Sequence, residues 1–304
     1  MLHRPVGAHA RITGGLATGG LRYAAAVGAE AIQVFVSSPR GWARSRGDAG
    51  EDARLRDHVA ATGMPVFVHA PYLVNLGSPD AATRERSAAA VGYSLRRAGE
   101  IGASGAVVHT GSAVTGGKDA GLRRVRECLL PLLDEIGGDG PDLLLEPMAG
   151  QGQILCAALP DLEPYLDALD WHPRAAVCLD TCHAFAAGHD LSRPGGASAA
   201  LSALQAAARD PRGRLKLIHA NDSKDPCGSC RDRHENIGAG QIGRAAFGAL
   251  LRHPLTGGVP FIVETPGDQA GHARDVATLR ALRDRAPKDA DLADHSGGPS
   301  PGCS

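Results

Sequence analysis

The sequence predicts an α/β chain folded as a single (β/α)8 barrel, with its active site at the C-terminal ends of the strands. Three observations carry this expectation. Eight short apolar runs alternate with longer Ala/Leu/Arg-rich stretches of helical spacing. Nearly every run ends on a His, Asp or Glu. No Gly-rich phosphate loop follows the first run, as an open doubly wound sheet would require.

In order, the runs are PVGAHA from Pro5, AIQVFVS from Ala31, PVFVHA from Pro65, GAVVHTG from Gly105, DLLLEP from Asp142, AAVCLDT from Ala175, LKLIHAN from Leu215 and PFIVET from Pro260. Each is rich in Val, Ile and Leu and bounded by Gly, Pro or polar residues, as a strand buried on both faces must be. Between them, stretches such as 81–101 and 122–136 have helical spacing. GGLATGG, from Gly14, lacks the phosphate-loop spacings and is expected to cap the first helix. Eight strand–helix units in succession close into a barrel. The domain is expected to cover residues 1–286. The remainder, 287–304, is Pro/Gly/Ser/Asp-rich and aperiodic, and reads as a disordered tail.

Composition narrows the function classes. The chain has 304 residues, 43% of them apolar and 21% charged, with a formal net charge of -1. That is enough apolar content for a sizeable core, and it excludes a highly charged disordered chain or a globally basic nucleic-acid coat. No run approaches the ~18 apolar residues of a membrane span. The N-terminus lacks the apolar stretch of a secretory signal, so a soluble cytoplasmic protein without a membrane partner is expected. Seven cysteines form no regular framework and read as free thiols. Cys227 and Cys230 make a CxxC with no second pair to complete a four-cysteine zinc site.

The chemistry lies in what ends the strands. His9, His69, His109, Glu146, Asp180, His219 and Glu264 are the terminal polar residues, with His183 just beyond Asp180. The loop after the seventh strand adds Asp232 and His234 in DRHEN. A barrel gathers these ends on one face. Imidazole and carboxylate donors suit Zn²⁺, Mn²⁺ or Fe²⁺, and burying so many ionisable groups without cations would cost several kcal/mol each. The donors exceed what one ion needs. With a bridging carboxylate they suit two or three ions, which can activate water and clamp a phosphoryl group. Asp232 and His234 alternate to the same side of an extended loop, placing an ion near the rim. His3, His58, His172, His253, His272 and His295 are expected to face solvent. His9 and His189 are expected, at most, to stand behind the ligands.

These segments resemble the endonuclease IV type of apurinic/apyrimidinic endonuclease (deoxyribonuclease IV). The matching stretches are HAPYLVNLGS from His69, VVHTGS from Val107, LEPMAGQG from Leu145, CLDTCHAFAAGHDL from Cys178, HANDSK from His219, DRHENIGAGQIG from Asp232 and IVETP from Ile262. The resemblance implies a TIM barrel with three zinc ions, Mn²⁺ or Fe²⁺ being alternatives at some positions. His69, His109 and Glu146 would hold one ion. Glu146 would bridge to a second, shared with Asp180, His219 and Glu264. His183, Asp232 and His234 would hold the third. Glu146 and Glu264 would orient a metal-activated water and accept its proton.

The resemblance further implies cleavage of double-stranded DNA on the 5′ side of an abasic site, giving 3′-hydroxyl and 5′-deoxyribose phosphate ends, with removal of blocks from 3′ ends. It implies a monomer associated with the nucleoid through DNA. Arg40, Tyr72 and Leu73 match positions that enter the DNA minor groove. Two departures, Pro147-Met148 after Glu146 and Thr110 after His109, spare the ligands and are expected to alter the hydrogen bonds behind them. A metal-dependent sugar isomerase or epimerase on the same barrel is the rival enzyme, distinguished by fewer metals. A non-catalytic protein that binds damaged DNA would have no need of a water-activating ligand set.

Overall fold

The computed structural model describes residues 2–209 and 213–285. Its barrel strands are β1 (Val6–His9), β2 (Ile32–Phe35), β3 (Val66–His69), β4 (Gly105–His109), β5 (Asp142–Glu146), β6 (Ala175–Asp180), β7 (Leu215–His219) and β10 (Phe261–Val263). All eight are parallel and close in the order β1-β10-β7-β6-β5-β4-β3-β2. Every expected strand is present. Around them lie α1 (Leu16–Val27), α2 (Ala49–Thr62), α3 (Ala81–Glu100), α4 (Lys118–Ile136), α5 (Leu162–Ala168), α6 (Thr181–Ala186), α7 (Gly196–Ala208), α8 (Arg244–Arg252) and α9 (Gln269–Asp284). The alternation is not one helix per strand. Both α6 and α7 follow β6, and β7 is followed by an antiparallel pair, β8 (Asp222–Ser223) and β9 (His234–Glu235), before α8. The tail expected from 287 lies outside the described residues.

Strand side chains alternate between two cores. One set, including Val66, Val68, Ala106, Val108, Leu143 and Leu145, packs outward against the helices. The other set fills the barrel interior: Ala31, Phe67, Val107, Leu144, Ala176, Cys178, Leu217 and Ile262. At β1 the inward position is Gly7, where a Cβ would stand 1.7 Å from the carbonyl oxygen of Ala31. Two residues beyond each inward side chain comes the next inward position. Those positions are His9, Gln33, His69, His109, Glu146, Asp180, His219 and Glu264. The period of two that buries the interior layer therefore forms the polar layer above it.

The start of α1 differs in detail from expectation. Gly15 precedes it with no side-chain cap. The cap comes from α2, where the Glu51 carboxylate accepts the Thr18 N–H at 2.7 Å and the Thr18 hydroxyl at 2.8 Å. Gly15 has φ 123°, and a Cβ there would lie 2.3 Å from Glu51 Oε2, so the glycine makes room for the capping carboxylate. The outer layer is also tied by ions. Arg97 on α3 donates to both oxygens of Asp52 on α2, each at 2.6 Å, and to Glu100 at 2.6 Å.

Candidate active site

The polar layer and the residues just beyond it form three groups of donors, two of which overlap. Ligand atoms of His69, His109 and Glu146 lie within 4.8 Å of one another, as do those of Glu146, Asp180, His219 and Glu264, and those of His183, Asp232 and His234. Glu146 belongs to two groups. Its Oε2 faces His69 Nε2 at 3.3 Å and His109 Nε2 at 3.4 Å. Its Oε1 faces His219 Nδ1 at 3.0 Å and His183 Nδ1 at 3.4 Å. Asp180, at the end of β6, divides its oxygens. Oδ1 accepts the His183 N–H at 2.9 Å and so caps α6, while Oδ2 is left toward His234 at 3.5 Å and His219 at 3.9 Å. Asp232 Oδ2 lies 3.2 Å from His183 Nε2, and its Oδ1 lies 3.1 Å from His234 Nε2.

Backbone carbonyls fix which imidazole nitrogen is free. His69 Nδ1–H donates to Ala70 O at 2.7 Å, His183 Nδ1–H to Pro147 O at 3.1 Å and His234 Nδ1–H to Glu264 O at 3.3 Å. Each neutral ring then turns its Nε2 lone pair toward a carboxylate. His234 Nε2 is buried and makes no hydrogen bond, although two carboxylate oxygens stand within 3.5 Å. Acceptors facing acceptors leave a need that a divalent cation between them meets. Mixed imidazole and carboxylate donors are the chemistry such ions take. The donor set therefore fits metal.

Without an ion, the charges of the site favour a proton in its place: burial opposes it at His183, but Asp180 and Asp232 outweigh burial and raise the ring well above its ordinary value. Burial would raise the Glu146 carboxyl, yet the His219 and His109 imidazoles outweigh it and hold it well below the usual carboxylate range. Glu264 is likewise pressed up by burial and held down by His219 and by the hydrogen bond from His9. Burial, reinforced by His69 and His183, pushes His109 down to about 4 despite Glu146. Burial opposes charge on His234, but Asp180 and Asp232 outweigh it and lift the ring to about 9. Cys182 reaches the same region beside Asp180 and His234. Burial and then the Asp180 charge raise its thiol far above the ordinary range.

Residues 21–285 match the xylose isomerase-like TIM barrel family. The probable endonuclease 4 of Streptomyces coelicolor is 55% identical over 283 residues, covering 92% of this chain and 95% of the relative. The probable endonuclease 4 of Nitratidesulfovibrio vulgaris strain DP4 is 37% identical, covering 92% and 99%. The chain belongs to the endonuclease IV family. It is accordingly a metal-dependent enzyme of the AP endonuclease type. The crystal structure of endonuclease IV from Thermus thermophilus superposes with a TM-score of 0.81 at 33% identity, covering 93% of this chain and all of that one. A D-tagatose 3-epimerase-like protein, at 17% identity and TM-score 0.69, shares the barrel and shows the fold alone.

The other expected residues fall as follows. Tyr72 and Leu73 sit on the rim, 47% and 40% exposed. The Tyr72 ring stacks on His109 at 5.8 Å and meets His69 edge-on at 5.4 Å. Its N–H donates to Pro39 O at 2.9 Å, joining the β3 loop to the β2 loop that carries the exposed Arg40. A cavity of about 600 Å³ opens there, lined by His9, Phe35, Tyr72 and Glu264 among others. Pro147 leaves the His183 contact intact, because that bond uses the backbone carbonyl. Thr110 is buried next to His109 and donates to Cys156 O at 3.0 Å.

Two expectations about histidines need correction. His272 does not face solvent. It is 7% exposed, its Nδ1 accepts from the Tyr23 hydroxyl at 2.7 Å, and its Nε2–H donates to Thr265 O at 2.8 Å. Its position on the inner side of α9 turns it toward the barrel. His189 stands away from the site, where its Nε2 accepts the Leu159 N–H at 2.9 Å. His9 stands against Glu264, with Nδ1 3.0 Å from its Oε1. His295 lies outside the described residues. The Cys227–Cys230 pair joins none of the metal-capable groups found among the described residues.

Gln33 and Asn221 were missed by a search for His, Asp and Glu. Asn221 donates to Asp180 Oδ2 at 2.7 Å and accepts the Glu264 N–H at 2.8 Å. Gln33 contacts His219, Glu264 and His9. Gln33 is a polar amide inside the apolar run of β2, and Asn221 lies two residues past the end of β7; those are the signals the sequence carries.

Proposed function

We propose that this endonuclease hydrolyses double-stranded DNA on the 5′ side of abasic sites, leaving 3′-hydroxyl and 5′-deoxyribose phosphate ends, and removes blocks from 3′ ends. The observation that carries the reading is the triple grouping of ionised carboxylates and lone-pair imidazoles around Glu146 on one rim. Three zinc ions fit it, with Mn²⁺ or Fe²⁺ alternatives at some positions. His69, His109 and Glu146 would hold one, Glu146, Asp180, His219 and Glu264 a second, and His183, Asp232 and His234 a third. Bound ions would supply Lewis acidity, lowering the pKa of water and neutralising charge on the phosphate.

The chain's own groups do the rest. Glu146 is ionised and buried and Glu264 ionised and partly buried, so each can orient a water proton and accept it. Tyr72 and Leu73 are apolar, exposed and next to the ligands, placed to fill the gap left by a missing base. An abasic nucleotide costs less to turn out of the helix than a paired one. Arg40 supplies positive charge to the backbone from the neighbouring loop. The net charge of -1 is no obstacle, because divalent ions make the binding face positive. The group built by His183, Asp232 and His234 favours this reading over a sugar epimerase, which needs fewer ions. Among the described residues no helix is long and apolar enough to cross a membrane. A cytoplasmic monomer, nucleoid-associated through DNA, completes the proposal.

The test is a duplex with one tetrahydrofuran lesion, incubated with metal-loaded protein with and without chelator. We expect a single cut immediately 5′ to the lesion, abolished by chelator. No cut by protein of measured metal content, or a cut elsewhere, overturns the reading.

A further inference from the structure

We propose that Gln33 is a positioning residue that locks two ligands of the second donor group at once. This rests on the metal reading above and names a part of that site outside the ligand set. Gln33 lies between Ala31 and Phe35 in the inward-facing file of β2 and is fully buried. Its Nε2 lies 2.6 Å from Glu264 Oε1, and its Oε1 lies 2.8 Å from His219 Nε2. A carboxylate can only accept, so the amide nitrogen must be the end that faces Glu264. The amide oxygen then faces His219, and an amide oxygen can only accept. His219 Nε2 therefore carries the proton, and the lone pair of the neutral ring is on Nδ1. That nitrogen is the one turned inward, 3.0 Å from Glu146 Oε1 and 3.2 Å from Glu264 Oε2.

The other histidines of the cluster whose second nitrogen has a partner use a backbone carbonyl for this purpose. His219 uses a side chain, so its tautomer depends on one residue of the sequence. The same amide holds Glu264 Oε1 and leaves Oε2 toward the group. His9 completes the arrangement, with Nδ1 3.0 Å from both Glu264 Oε1 and Gln33 Nε2. A neutral amide achieves this without adding charge. A carboxylate at the position would repel Glu264, and an aliphatic side chain would leave both ligands free to turn. Partners of this kind are worth about 10- to 100-fold in metal affinity.

The experiment compares wild type with Gln33→Met, which keeps length and removes both hydrogen bonds, and with Gln33→Ala, which no clash can prevent from folding. Zn²⁺ is titrated against a competing chelator and the bound ions are counted, with the melting temperature of the metal-free proteins as a check on the fold. The expected result is one ion weakened about 10- to 100-fold in both variants, the other ions within about twofold of wild type. Imidazole ¹⁵N spectra of the metal-free proteins, recorded at a pH high enough that the His219 ring is neutral, should show its Nε2–H form in wild type and a mixture of tautomers in the variants. A purely structural role would leave that spectrum unchanged. All ions held as in wild type, or an unchanged His219 tautomer in both variants, overturns the inference alone. A wild-type protein that retains no ion overturns the metal reading itself.

Discussion

Between α2 and α3 the Arg97 guanidinium forks onto both oxygens of Asp52 at 2.6 Å, and at the barrel rim four carboxylates meet five imidazoles at 3.0–3.9 Å. Both places bury charge, and the chemistry differs. In the outer layer donors meet acceptors with fork-to-fork geometry, so the pair is complete as it stands. At the rim the imidazole protons are spent on carbonyls and the Gln33 amide, and the lone pairs that remain face oxygens. A completed pair holds a fold together. An incomplete one is held in place by the fold and waits for a cation. The desolvation cost sits where the function is, and the helix layer supplies the stability that tolerates it.

The sharpest way to break this comparison is to cross one substitution from each place. Glu146→Gln removes the shared ligand of two groups, which is worth several kcal/mol of charge stabilisation in the transition state. Incision of a lesion duplex should fall by about 10³-fold or more, at tenfold per 1.4 kcal/mol. Added Zn²⁺ should raise the melting temperature by less than is expected for wild type, the group of His183, Asp232 and His234 being left whole, while the metal-free protein melts nearly as before. Asp52→Ala should do the opposite. It leaves Arg97, 7% exposed, with Glu100 alone, and should cost about 3 kcal/mol of stability while retaining the zinc-induced rise and near-normal turnover per folded molecule. If both variants lose metal binding equally, the two regions are not separable as described.

A smaller effect is expected where the rim meets substrate. Tyr72 stacks on His109 yet is half exposed, so it belongs partly to the site and partly to the surface. Tyr72→Ala should weaken binding of lesion-bearing duplex by about 1–3 kcal/mol, the range for an aromatic–base contact. Metal content should be unchanged, since His69 and His109 keep their contacts with Glu146. Filter binding at fixed salt, beside a zinc assay, checks this. A loss of zinc instead would make Tyr72 a support for the imidazoles.

Much of the barrel was legible because its physics is periodic. Short apolar runs have one solution when helices alternate with them, and the inward parity of Phe67, Val107, Leu144 and Leu217 leads two residues on to His69, His109, Glu146 and His219. The groups formed by loops followed from spacing and from the resemblance, and here the antiparallel β8–β9 pair is what brings His234 back over β6. What stayed hidden depends on partners distant in sequence. Gln33 looks like an interruption of a strand until His219, 186 residues later, is seen against it. His272 looks like a helix-surface residue until the Tyr23 hydroxyl is placed 249 residues away. The cap of α1 was expected from its own glycines, and it arrives from another helix.

That cap gives the smallest prediction and the one that tests the outer layer apart from metal. The hydrogen bonds from the Thr18 N–H and hydroxyl, then Arg54, hold the Glu51 carboxyl down at about 2, against the burial that would raise it. A folded-state value below the unfolded one means that Glu51 stabilises the fold fully above about pH 4.5, and that this contribution is lost as pH falls toward 2. Glu51→Gln removes the charge and replaces one accepting oxygen with a donor against the Thr18 N–H or hydroxyl. Its denaturation midpoint should therefore lie below that of wild type at about pH 6. The two should converge as pH is lowered from about 4.5, where wild type begins to lose what the variant never had. Both proteins are measured with chelator present, so that rim carboxylates releasing metal do not contribute. A gap that stays constant down to about pH 2 would mean that Glu51 acts by shape alone, and the cap would then owe nothing to the charge facing the N-terminus of α1.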